Sequence, residues 1–157
     1  MDIAEKNGIH RRFAAEYFNE TWELLENLSD DPTPQQRDAL ILTAGASLFH
    51  WTQREDVTPK NLSVGAWLLS RTYAVVNRTS EALYWARRSL DHAVEAKASP
   101  FYVGYAHEAT ARAELGSDPD EARAALERAE KAAAKVEDPD HRAQLQKDLQ
   151  EIREQLS

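Results

Sequence analysis

His107 and Glu108 open like the zinc-protease motif His-Glu-x-x-His, in which two histidines four residues apart share one helical face and the glutamate serves as base. Position 111, where the second ligand is required, is alanine, so the motif fails at the residue that matters. The Glu-x-x-His pair with which helical bundles hold two metal ions is also missing, because Ser47, Ser89 and Gly104 stand three residues before His50, His92 and His107. Five histidines with no cysteine leave a histidine-carboxylate site as the metal chemistry still open, for instance His10, His50 and His107 with Glu16, but no spacing in the chain selects it. The lack of cysteine also excludes disulfides, thiolate nucleophiles and iron-sulfur ligation. Neither a Gly-x-Ser-x-Gly elbow nor a glycine-rich phosphate loop is present. The residues therefore assign no catalytic group, no metal and no cofactor.

Length and charge narrow the classes further. A chain of 157 residues, 42% of them hydrophobic, suits one domain with one core. Its formal charge of −8 argues against non-specific binding to nucleic acid or to anionic membranes and suits a basic or amphipathic partner segment. Arg78, Arg87 and Arg88 form a compact basic patch that Glu81, Asp91 and Glu95 should neutralise. The N-terminus carries no charged-then-apolar signal pattern and no apolar run reaches the roughly 18 residues of a membrane span, so the chain reads as cytoplasmic.

The elements that must position any site are all helical. Thr33-Pro34, Thr58-Pro59, Ser99-Pro100, Asp118-Pro119 and Asp138-Pro139 each put a capping side chain ahead of a proline at the first helical position. Between Asn77 and Glu81 the turn lacks such a proline, and Thr79 is the expected cap there. Seven helices follow, at about 8–28, 34–53, 59–77, 80–97, 100–116, 119–136 and 139–156, and connections of two to six residues force neighbours to run antiparallel. In the first, Phe13, Tyr17, Leu24, Leu25 and Leu28 should be buried, with Glu16, Glu20, Glu23 and Glu26 in water. The second is apolar nearly all round from Ala39 to Phe49 and should be packed on both sides. In the last, Leu145, Leu149, Ile152 and Leu156 make one narrow stripe on a polar helix, the pattern of a cap over 138–157.

An internal repeat ties the middle of the chain together. Ala66-x2-Leu69-Ser70-x2-Tyr73, followed by Ala82-x3-Ala86-x2-Ser89, is matched 40 residues later by Ala106-x2-Ala109-Thr110-x2-Ala113 and Ala122-x3-Leu126-x2-Ala129. Small residues at Ser70, Ala82 and Ala86 would let two helix backbones approach closely. The pattern resembles the tetratricopeptide repeat family over about half the chain. Ser70 and Thr110 stand where that family has glycine, Ala86 and Leu126 where it has an aromatic, and the period exceeds the family's 34 residues, which implies longer helices or turns. The resemblance implies an all-α fold of antiparallel hairpins stacked as a short right-handed superhelix.

In that family the first helix of each hairpin lines a concave groove, and the resemblance carries this face onto Trp67, Arg71, His107 and Ala111. Arg71 beside an aromatic could hold a carboxylate in a bidentate fork. His50, at the end of the second helix, could satisfy a terminal carbonyl or face a ligand. Tyr102 should be core, with Phe101 and Tyr105 half exposed. The function expected is a non-enzymatic module that binds a protein or peptide segment in its groove. The other class open to these residues is a small-molecule binder or enzyme with a pocket of His50, Trp67, Arg71, His107 and Glu108.

Overall fold

A computed structural model describes all 157 residues. Seven helices, α1 (Ile3–Glu26), α2 (Pro34–Thr52), α3 (Pro59–Val75), α4 (Thr79–Glu95), α5 (Pro100–Glu114), α6 (Pro119–Ala133) and α7 (Pro139–Gln155), account for the chain, with no strand. None is long and apolar enough to cross a membrane.

Capping chemistry sets the helix starts. Thr33 and Thr58 accept from the N–H of Gln36 and Asn61, whose side chains return to the cap N–H, while Asp118 and Asp138 accept from Glu121 and His141. Three starts differ from expectation. α1 begins at Ile3 because Asp2 and Glu5 form a full capping box upstream of the apolar pattern. Thr79 is the first residue of α4 and Arg78 occupies the cap position with no side-chain bond. Ser99 caps α5 by position alone. The α3–α4 turn is set instead by Asn77, whose φ of 61° ends α3 while the Arg78 N–H reaches back to the Tyr73 carbonyl at 2.8 Å. Lys97, at φ 48°, repeats this closure between α4 and α5.

The helices pair as hairpins, α1 with α2, α3 with α4 and α5 with α6, and the hairpins stack so that α2 meets α3, α4 meets α5, and α3 lies beside α5. α7 covers α5 and α6, burying Leu145, Leu149 and Ile152 and half-burying Leu156. Close approach within the α3–α4 hairpin is direct: Ser70 is fully buried and its hydroxyl donates to the Ala82 carbonyl at 2.8 Å, one turn from buried Ala86. Ser63 and Ser89 bridge the other end of that hairpin through each other's carbonyls.

Two of the face assignments change. In α1 it is Ala14, Thr21 and His10 that are buried, with Phe13, Tyr17, Leu24, Leu25 and Leu28 only half so, because the Ser47 hydroxyl of α2 donates to the Ala14 carbonyl and holds the backbones close along the small residues. α2 packs on α1 and on α3 as expected, but its third face stays open, since Leu42 is 70% and Phe49 55% exposed.

Candidate functional site

Each of the odd-numbered helices turns a pair of residues three or four apart toward one cleft, which Ser63, Ser89 and Tyr102 also line. The pairs are Phe18 and Trp22 from α1, Val64 and Trp67 from α3, Phe101 and Tyr105 from α5, and Gln144 and Asp148 from α7. That spacing places each pair on a single helical face. The stack of hairpins brings the four faces together around a volume of about 350 Å³, partly open to solvent.

The walls are aromatic and interlocked. Trp67 lies 5.6 Å from Trp22 and 5.2 Å from Tyr105 between ring centroids, and Tyr105 meets Phe101 edge-on at 5.0 Å. Beneath them runs a polar network. The Trp67 indole N–H donates to Oε2 of the fully buried Glu108 at 2.9 Å, and Arg112 Nε donates to its Oε1 at 2.6 Å. Arg112 also faces Glu151 at 3.9 Å, and its Nη2 is buried without a hydrogen bond. The Tyr105 hydroxyl donates to Asp148 at 2.7 Å; burial first, then that bond, push its pKa well above the ordinary tyrosine value, so it stays a neutral donor. Glu108 thus anchors the tryptophan instead of facing a ligand, and Asp148 anchors the tyrosine.

Two cations lie on the aromatic surfaces. The Arg71 guanidinium stands 5.4 Å from the Trp22 ring and 5.8 Å from Trp67, and the Lys60 ammonium sits 4.6 Å from the Tyr102 ring. Neither forms an ion pair, in contrast to Arg78, Arg87 and Arg88, which pair with Glu81 and Asp91 on α4.

Of the residues singled out in the sequence, Trp67 lines the cleft, Arg71 lies on its tryptophans and Glu108 sits below it. His107 is one residue round α5 from Glu108; burial and then the Arg128 guanidinium of α6 hold its pKa below the usual histidine value. Ala111 is fully buried. His50 faces His10 across the first hairpin, Nδ1 to Nδ1 2.9 Å, ringed by Phe13, Tyr17 and Phe49. No three histidine or carboxylate side chains are placed together so as to hold a metal ion, and Glu16 is engaged by Arg12. At α5 the assignment of faces reverses: Tyr105 is buried, whereas Tyr102 is half-buried like Phe101, because the Tyr105 hydroxyl finds its partner on α7.

Sequence reasoning did not assign Phe18, Trp22, Gln144 or Asp148 to a site. A signal was there in the i, i+4 pairs on α1 and α7, but it acquires meaning only when alternate helices are known to share one side of the stack. Comparisons with family models, with curated proteins and with solved structures find no match to this chain.

Proposed function

We propose that this chain is a non-enzymatic interaction module of the tetratricopeptide-like kind, working in the cytoplasm, whose concave cleft accepts a segment of a protein partner. The observation that carries this reading is Arg71, an unpaired guanidinium laid on two tryptophans beside an aromatic cleft. Such a border favours a peptide with an apolar or aromatic anchor for the cleft and a carboxylate for the fork of Arg71. The carboxylates nearest the cleft support recognition over acid-base work, since Glu108 is held by Trp67 and Arg112 and Asp148 accepts from Tyr105.

Isothermal titration against a peptide library of varied anchor and terminal charge tests the reading. Trp67→Ala and Arg71→Ala should each weaken a selected peptide by about 2 kcal/mol or more. Arg71→Lys should recover only part of the loss, because an ammonium lacks the planar fork. Unchanged affinity in both alanine variants would remove the cleft as the site. A second reading, a small-molecule binder, is favoured by the volume of 350 Å³, which lies within the range of about 300–1,000 Å³ for such pockets. Native mass spectrometry of the protein from its host separates the two, since a copurified compound displaced by Trp67→Ala would favour the pocket.

A further inference from the structure

On the side of α3 away from Trp67 lies a second cleft, of about 760 Å³, floored by Ala66 and Leu69 and walled by α2 and α4. Leu42, Phe49 and Tyr84, all on its walls, are left 70%, 55% and 58% exposed. Contiguous apolar surface of this kind marks an interface on a water-borne protein.

The pattern along α2 says what covers it. Asp38, Leu42, Gly45 and Phe49 recur at intervals of four, three and four and so share one face, with Ala46 beside Gly45. The apolar part is symmetric about the midpoint between Gly45 and Ala46, with Leu42 and Phe49 equally far on either side. A two-fold axis through that midpoint, with the helices antiparallel, sets small residues on small residues and Leu42 of one copy against Phe49 of the other. Such self-complementarity is what an isologous contact requires. Nothing lies within 4 Å of a Cβ built on Gly45, so the helix backbone there is open to close approach.

Charge points the same way. α2 and α4 run in the same direction, so Thr52, Arg88 and His92 mark one end of the cleft. The two-fold axis carries Asp38 of the second copy to that end. Asp38 is exposed and makes no ion pair in its own chain, and the one carboxylate near Arg88 is Asp91 at 3.7 Å, with His92 Nε2 3.3 Å from Arg88 Nη2. We propose that the chain forms an antiparallel two-fold dimer through α2, with Leu42 and Phe49 of each copy entering the cleft of the other and Asp38 meeting Arg88. This contact lies on the other side of α3 from the concave cleft and does not depend on the function proposed for it.

Sedimentation equilibrium of the full chain, from low micromolar to near-millimolar concentration, tests the dimer. The wild type should dimerise reversibly, and Leu42→Glu with Phe49→Glu should weaken association at least about 30-fold while circular dichroism, at concentrations where the wild type is also monomeric, shows similar melting, since both side chains are largely exposed in the monomer. Gly45→Arg, which places a charge at the axis in open space, should do the same. The orientation is read by exchange of charge: Asp38→Arg and Arg88→Asp should each weaken the dimer, and together they should restore it. A chain monomeric at every concentration, or a dimer indifferent to the Leu42 and Phe49 changes, overturns the proposal and leaves the cleft to a different partner's helix. A dimer that the double charge exchange fails to restore overturns the antiparallel arrangement.

Discussion

The two ends of the stack are held by different kinds of core. From α5 to α7 one cluster joins Ala125, Ala129 and Ala133 to Leu126, Leu145, Leu149 and Ile152, all nearly or wholly out of water. Around α2 the corresponding cluster is only Ala44, Leu48 and Leu69, with Leu62, Tyr73 and Trp85 half-buried against it. Alanines let α6 lie close to α5, and leucines of α7 then fill what is left, so the apolar surface that stays open there is the cleft wall of Phe101 and Tyr105. In α1 and α2 the large side chains are shared with water and with the two clefts. Tight packing at the C-terminal end fixes two walls of the concave cleft, whereas unfinished packing at the N-terminal end leaves large side chains in water.

The strongest way to break this contrast is at Glu108. Glu108→Ala leaves the Arg112 charge buried and the Trp67 N–H without its acceptor, and should cost about 3–5 kcal/mol in urea unfolding. A loss below 1 kcal/mol would mean that water replaces the carboxylate and that the C-terminal end is looser than its core suggests. Between the two ends, Ser70→Leu should cost about 1–3 kcal/mol by forcing bulk between α3 and α4 and removing the bond to Ala82. Near-wild-type melting would show that this hairpin does not depend on close approach.

Glycine-to-alanine changes sharpen the comparison because they should differ in sign. A Cβ on Gly104 would stand 2.5 Å from Leu145 Cδ2, and the crowding should outweigh the helix-propensity gain for a net loss of about 1 kcal/mol. At Gly45 the space is open, and alanine should stabilise by up to about 1 kcal/mol. Thermal melts of the two variants with the same sign would erase the distinction. The smallest effect concerns pH. Burial and then the neighbouring His10 hold the folded pKa of His50 below its usual value, so the unfolded chain binds the proton more readily. The stability this contributes is complete above the unfolded pKa of about 6.5 and is lost as pH falls through the folded value. Melting temperature should therefore drop on acidification below about pH 6.5, and His50→Gln should flatten part of that slope. His92 and His107, which burial shifts in the same direction, contribute to the slope that remains, joined at lower pH by Asp56, Glu81 and Asp138, whose folded pKa values are lowered by their hydrogen bonds. A slope identical to wild type would show that the His10–His50 contact does not form in solution.

How far each residue was legible follows from the range of the interaction that places it. Thr33, Thr58, Asp118 and Asp138 cap helices through bonds that close within three residues, so sequence alone located those starts. The same holds for the buried stripe of α7 and for Ser70 against Ala82, where a repeat of small residues marks the meeting of adjacent helices. Trp67 and Arg71 were legible as residues off the packing face, whereas what they face was not. The network of Trp67, Glu108, Arg112 and Glu151 spans positions more than 80 residues apart, and no local periodicity encodes it.

The sequence by itself determined seven helices, their antiparallel order and the faces that small residues bring together, because caps, periodicity and short connections act over a few residues. Tertiary structure alone decided which half-polar faces became walls of a shared cleft, that Tyr105 rather than Tyr102 is buried, and that α2 leaves Leu42 and Phe49 in water. Those outcomes depend on how hairpins stack, and stacking is set by the sum of many weak contacts between helices distant in sequence.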